Sequence, residues 1–110
     1  MWIYLSNSFL SLVRDRNNRG KLLVRSRFVD DIKNIFPSAH VIHSPENDYA
    51  HRSSIDASTV SRAIAKRIES IGYDNFKDSV ADPARSAVYH SVWSTMVWAQ
   101  SVSERKRKDR

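Results

Sequence analysis

The chain has 110 residues, 41% of them apolar, a size typical of one domain with a single modest core. The absence of cysteine excludes disulfides and thiolate metal sites, and a small domain without disulfides fits the reducing cytoplasm. A net charge of +6 favours an encounter with nucleic acid, acidic proteins or an anionic surface. Only two glycines are present, which argues against a Gly-rich phosphate loop.

Three strands are predicted in the first quarter of the chain. Residues 2–6 and 9–14 are rich in apolar and aromatic side chains, and Asn7 between them tolerates the backbone of a tight hairpin. After a polar loop at 15–20, residues 21–25 predict the third strand. The N-terminal segment has neither a basic stretch nor a long apolar run, so we expect no signal peptide and no membrane span.

A short helix and a second hairpin are predicted next. Before Pro37, which ends the helix, four apolar side chains recur at helical spacing: Val29, Ile32, Ile35 and Phe36. Residues 40–44 and 49–55 predict two strands, and the Pro-Glu-Asn-Asp sequence between them is a strong turn signal.

Two longer helices complete the predicted elements. The first carries one apolar stripe, Val60, Ile64, Ile68 and Ile71. Asp56 or Ser58 would cap its start, and Gly72 would end it. The second is predicted to begin at Asp82-Pro83, an N-cap followed by proline, and to run to about Val102. Its apolar face is expected to hold Val88, Tyr89, Val92, Met96 and Ala99.

The order ββ-β-α-ββ-α-α predicts an α+β fold. Its middle portion, strand–helix–hairpin–helix, is most of a ferredoxin-like split βαβ unit. We expect an antiparallel-rich sheet with the helices on one face and the other face open or covered by a second copy in a homodimer. Residues 1–103 are predicted to form a single domain, and 104–110 a basic tail.

Two basic stretches are candidates for binding RNA or DNA. One flanks the 15–20 loop, and the tail is the other, although its cations also suit a solvated helix end. Trp2 and Tyr4 share a strand face, where they either stack on bases or belong to the core, and Trp2, so near the terminus, is expected in the core. The candidate residues are Arg14, Arg16, Arg19, Lys21, Arg25, Arg27, Arg105, Lys106, Arg107 and Lys108.

The histidines are candidates for chemistry. Residues 40 and 43 point to opposite faces of a strand, so His40, His43 and His51 are a poor metal set, and we expect no metal and no cofactor. If residue 44 lies opposite 49, His43 pairs with Ala50, and His43 then shares a face with Arg52. His51, Arg52 and His43 are therefore candidate catalytic residues of a small metal-independent ribonuclease, and a solvated basic face is the alternative.

Trp98 and the segment 73–78 are candidates for partner contact. Trp98 points away from the apolar stripe of its helix, so either the first hairpin covers it or it contacts a partner or a second copy in a homodimer. Within the segment, Asn75 either bonds local backbone or belongs, with Lys77, to a binding surface.

Three motifs carry a resemblance: Asp48-Tyr49-x-His51-Arg52, Tyr73-x-Asn75-Phe76-Lys77-Asp78 and Tyr89-x3-Trp93-x2-Met96. They are similar to a family of short bacterial and prophage proteins that has no established activity. The resemblance extends to about Trp98 and leaves the tail outside. It implies an accessory protein of a phage or mobile element that acts by binding, for example as an inhibitor of host defence of the anti-CRISPR type.

Three functions follow as hypotheses. The first is a non-enzymatic binding protein or inhibitor whose partner is a protein or a ribonucleoprotein. The second is a basic RNA- or DNA-binding module, and the third is the ribonuclease. For each of them we expect a cytoplasmic location and no contact with membranes.

Overall fold

The computed structural model describes residues 1–109, which form an α+β fold, as the order of elements predicted. The strands are β1 (Trp2–Leu5), β2 (Ser8–Arg14), β3 (Lys21–Ser26), β4 (Ile42–His43) and β5 (His51–Asp56). The helices are α1 (Asp31–Ile35), α2 (Ala57–Glu69) and α3 (Pro83–Lys108), and Lys77–Ser79 form a 3-10 turn. The chain divides into two compact units, residues 1–72 and the segment that starts at Tyr73.

All five strands belong to one sheet in the order β1-β2-β3-β5-β4, and every neighbouring pair is antiparallel. Strand β5 lies between β3 and β4, which α1 connects, so the predicted split βαβ unit is present. The β1–β2 hairpin extends the sheet beyond β3. Strand β4 has two residues rather than the predicted five, and it pairs on one side only because it is an edge strand.

One face of the sheet carries the core of the first unit. Leu10, Val24 and Ile55 alternate with outward side chains on their strands and are buried. Against them pack α1 and α2, through Ile32, Phe36 and Val60. Because both helices lie on this face, as predicted, no helix of residues 1–72 covers the opposite one. We call that opposite side of the sheet the open face.

A buried carboxylate fixes α1 to the sheet. Asp31 is fully buried, and its carboxylate accepts a hydrogen bond from the backbone N–H of Phe9 at 2.9 Å. The hydroxyl of Ser8 donates to the backbone carbonyl of Asp31 at 2.9 Å. The two bonds satisfy polar groups that burial would otherwise leave unpaired, and they attach the start of α1 to the start of β2.

The predicted stripe of α2 is only half correct. Val60 is buried and Ile64 half-buried, but Ile68 and Ile71 are exposed. A step of four residues turns the helix about 40° past a full turn, so by Ile68 the series has rotated away from the sheet. Ala63 occupies the core side instead. Helix α2 ends at Glu69, before Gly72.

The second unit is built around the start of α3. The carboxylate of Asp82 accepts from the backbone N–H of Arg85 at 2.8 Å, so the predicted N-cap is confirmed. Phe76 stacks on the buried ring of Tyr89 at 5.7 Å, and Tyr73 meets Phe76 edge-on at 5.8 Å. The predicted apolar face of α3 is partly wrong: Tyr89 is buried and Val92 and Ala99 are half-buried, but Val88 and Met96 are exposed.

Helix α3 continues through most of the predicted tail. It runs to Lys108, so residues 104–108 are helical, and Arg110 lies outside the described residues. Cations in a last helical turn interact favourably with the helix dipole. Within residues 1–109, no helix combines the length and the apolar character that a membrane crossing requires.

Candidate functional site

One row of side chains crosses the whole open face. The strand register places Trp2 opposite Ser11, Ser11 opposite Arg25, Arg25 opposite Arg52, and Arg52 opposite Ile42. Directly opposed residues of antiparallel strands point to the same face of a sheet. The row therefore begins with an indole ring at one edge, has two guanidinium groups near its centre and ends with an isoleucine.

Three aromatic rings, one exposed and two half-buried, form the β1–β2 end of this face. Trp2 is 66% exposed, so the expectation that it belongs to the core is wrong. Its ring meets Phe9 edge-on at 6.3 Å, and Phe9 stacks on Tyr4 at 4.5 Å. We call Trp2, Tyr4 and Phe9 the aromatic cluster. Phe9 is not among the binding candidates predicted from the sequence. The tight turn at Asn7 brings it opposite Tyr4.

Three arginines converge next to this cluster, around the buried ring of Tyr49. The guanidinium carbons of Arg25 and Arg27 lie 4.5 and 4.3 Å from the ring centroid, a cation–π distance. Arg52 donates from Nε to the backbone carbonyl of Tyr49 at 3.3 Å. We call Arg25, Arg27 and Arg52 the arginine cluster.

Hydrogen bonds fix the orientation of these arginines. Arg25 donates from Nη2 to the hydroxyl of Ser11 at 2.8 Å, and Arg27 donates from Nη1 to the backbone carbonyl of Asp48 at 2.9 Å. The Nε of Arg25 is buried and meets no acceptor within residues 1–109, which is unusual for a native side chain. The Asp48 carboxylate lies 3.7 Å from Arg52 and neutralises part of the charge.

A groove of about 760 Å³ lies beside the arginine cluster. It is lined by the loop at residues 15–18 and, from the strands, by Leu23, Arg25 and Arg52. Four arginines line it, Arg14, Arg16, Arg25 and Arg52, against one carboxylate, that of Asp15. The groove is therefore strongly cationic and is suited to an anion.

Asp15 ties the loop to the sheet. Its carboxylate accepts from the hydroxyl of Ser54 on β5, from the side-chain amide of Asn18 and from the backbone N–H of Asn17. These donors, the Ser54 hydroxyl foremost, lower the pKa of Asp15 below its usual value of 3.8. The carboxylate thus anchors the loop at residues 15–18, which lines the groove, to β5.

The remaining basic candidates are not part of the arginine cluster. Arg19 is exposed in the loop, and Lys21 at the start of β3 forms an ion pair with Asp56 at 3.8 Å. Four more are spread around the last turn of α3: Arg105, Lys106, Arg107 and Lys108. Of these, Arg107 lies 3.8 Å from Glu104.

The predicted arrangement of the catalytic candidates is wrong by one residue. His43 lies opposite His51, not Ala50, and Ile42 lies opposite Arg52. The cause is the turn, in which the backbone N–H of Ser44 bonds the carbonyl of Ala50 and Asp48 accepts from the N–H of Tyr49. His43 and His51 consequently stack at 5.0 Å on the core side, whereas Arg52 lies on the open face.

The partner-contact candidates all lie in the second unit. Trp98 is 65% exposed on α3, with Trp93 and Met96 also exposed. The side chain of Asn75 accepts from the backbone N–H of Lys77 at 2.9 Å, which is the local bond considered from the sequence. The ammonium of Lys77 lies 4.4 Å from the centroid of the Trp93 ring.

Neither metal ligation nor similarity to other proteins assigns a role to these residues. Among residues 1–109, no group of three or more His, Asp or Glu side chains is placed to hold a metal ion. No protein-family model, curated protein or solved structure matches this chain.

Proposed function

We propose that this protein is a small non-enzymatic binding protein that binds nucleic acid on the open face of its sheet. The observation that carries the proposal is the row in which exposed Trp2 precedes Arg25 and Arg52. Nucleic acid demands this combination, because it presents phosphates that need cations and bases that stack on aromatic rings.

Preorganisation of the arginines supports the proposal. Arg25 and Arg27 are held against Tyr49, and Arg25 is also held by Ser11, so little side-chain freedom is lost when a phosphate binds. A guanidinium presents a planar set of donors that suits phosphate oxygens. The proposal contains no chemical step, because His51 lies on the face opposite to Arg52.

A salt series with matched charge variants tests the proposal. Binding of fluorescently labelled oligonucleotides of mixed sequence is measured by polarisation from low to high salt. We expect affinity to fall steeply with salt, and the double variant Arg25→Ala/Arg52→Ala to bind at least ten-fold more weakly than the wild type.

The control variant is Arg62→Ala/Lys66→Ala, which removes the same charge from exposed positions on α2. It should bind nearly as well as the wild type. Equal losses in the two double variants would mean that net charge alone drives binding. The proposal of a sheet-face site would then be wrong.

A second candidate function is contact with a protein, alone or within a ribonucleoprotein, through α3. The exposure of Trp98, Trp93 and Met96 on one helix favours it, because exposed tryptophan and methionine are enriched at interfaces. The resemblance to prophage proteins adds a context in which such contact would inhibit a host system.

Affinity capture with two matched tryptophan variants separates the two functions. Tagged Trp98→Ala and Trp2→Ala proteins are incubated with host lysate, with and without nuclease. Contact through α3 predicts a discrete protein that survives nuclease and is lost only with Trp98→Ala. If the capture consists of nucleic acid alone and is lost only with Trp2→Ala, the sheet face is the site and the second candidate fails.

A further inference from the structure

The aromatic cluster and the arginine cluster lie a fixed distance apart. Neighbouring strands are separated by about 4.8 Å, so the Cα atoms of Trp2 and Arg25, two strands apart, lie about 10 Å from each other. Arg52 follows one strand further along the same row. A chain that crosses the strands from β1 toward β5 therefore meets a ring first and two cations afterwards.

The Trp2 ring is supported in a way that leaves it available. Phe9 contacts it edge-on, and Tyr4 stacks on Phe9 rather than on Trp2. With 66% of the residue exposed, the indole offers surface on which a flat ring could stack. In a duplex each base is already stacked between its neighbours, so only an unpaired base can use this surface.

The arginine side of the row suits a flexible backbone better than a regular helix of phosphates. Arg25 and Arg52 line the groove from the sheet, and Arg16 lines it from the loop. A phosphate must enter the groove to reach the arginines of the sheet, which a single strand can do by bending. A duplex presents its phosphates on a broad rigid cylinder.

We propose that the open face binds single-stranded nucleic acid across the strands, with a base on Trp2 and neighbouring phosphates at Arg25 and Arg52. This inference rests on the proposed function and narrows it to a substrate class. RNA and DNA single strands share the chemistry that this face recognises, and separate probes distinguish them.

Four labelled probes of equal length test the inference on the full chain: single-stranded RNA, single-stranded DNA, the DNA duplex, and a DNA strand whose central nucleotides are abasic. We expect at least one single strand to bind ten-fold or more tightly than the duplex. The abasic strand keeps every phosphate, so its binding should drop by about five-fold or more through the lost stacking.

Trp2→Ala and Trp98→Ala form the matched pair, because the two tryptophans are almost equally exposed. Trp2→Ala should weaken single-strand binding by about five- to a hundred-fold and leave binding of the abasic probe unchanged. Trp2→Phe should restore part of the loss. Trp98→Ala should change neither, and far-ultraviolet circular dichroism checks that each variant is folded.

The outcomes separate the inference from the proposed function. Duplex binding as tight as single-strand binding, with Trp2→Ala and the abasic probe without effect, would overturn the single-strand inference while a phosphate-binding face remained. No binding of any probe at low salt would overturn both.

Discussion

The two units each expose a tryptophan to nearly the same extent, but they support it in different ways. Trp2 lies on a sheet whose other face is packed on α1 and α2, and its strand register leads to Arg25. Trp98 lies on a helix whose buried residue is Tyr89, about two and a half turns away. The sheet therefore fixes the distance between Trp2 and a cation, whereas the cation that lies against a ring of α3, Lys77, contacts Trp93 and not Trp98.

The largest expected effect comes from removing the support beneath the sheet. Leu10 is fully buried in the core cluster, so Leu10→Ala should lower the free energy of unfolding by about 2–5 kcal/mol through lost burial and a residual cavity. Urea denaturation, followed by circular dichroism, measures it.

The matched control for this substitution is Val29→Ala, an exposed apolar residue of the same unit. It should change the unfolding free energy by less than about 0.5 kcal/mol. If the two substitutions had similar effects, the packed support that distinguishes the sheet surface from α3 would be absent.

The next largest effect is expected on oligonucleotide affinity, when an arginine of the row on the open face is replaced. Arg25→Gln should weaken oligonucleotide binding by roughly ten-fold and reduce the slope of log affinity against log salt by about one, because one phosphate contact is lost. Arg62→Gln on α2 removes the same charge elsewhere and should leave the slope unchanged. Both variants are measured in the salt series of polarisation curves. A smaller slope for Arg25→Gln than for Arg62→Gln would place the phosphate contact on the sheet.

A smaller effect is expected at the capped start of α3, in the second unit. Asp82→Ala removes the side chain that accepts from the N–H of Arg85, and such a cap contributes about 1 kcal/mol. We expect the first-turn amides of α3 to exchange hydrogen about five-fold faster, as measured by mass spectrometry or NMR. Asp74→Ala, outside the helix, serves as the control, and unchanged exchange in Asp82→Ala would contradict the capped start.

The smallest effect is the pH response of the loop beside the groove. Because hydrogen bonds lower the pKa of Asp15, its folded carboxylate adds stability that is present above pH 3.8 and is lost as pH falls below it. Amide signals of Asn17 and Ser54 should shift together at that low pH. In Asp15→Asn this coupled shift should vanish, and a shift that persisted would assign the titration to another group.

Much of the architecture could be predicted because its signals are local. Asp82-Pro83 marks the start of α3, and Asn7 and the Pro45–Asp48 sequence mark turns, each through backbone preferences that need no tertiary contact. The split βαβ unit followed from the order of these elements.

The site was less predictable, because it depends on the buried face of β1 and on the β4–β5 register, and the sequence determines neither. In β1 both alternating sets are apolar, Trp2 with Tyr4 and Ile3 with Leu5, so the period of two does not reveal which set faces the core. The β4–β5 register depends on hydrogen bonds within the turn, and a shift of one residue places His43 opposite His51 instead of Ala50. The convergence of Arg25, Arg27 and Arg52 on Tyr49 is a tertiary arrangement that no local sequence pattern predicts.

The most direct measurement of the central claim is the NMR spectrum of the three tryptophan indole N–H groups during titration with a short single strand. Trp2 lies on the sheet, and Trp93 and Trp98 lie on α3. If the open face binds nucleic acid, the Trp2 signal moves and saturates while the Trp98 signal stays in place. Movement of Trp98 or Trp93 with an unchanged Trp2 signal would contradict the account and transfer the binding surface to α3.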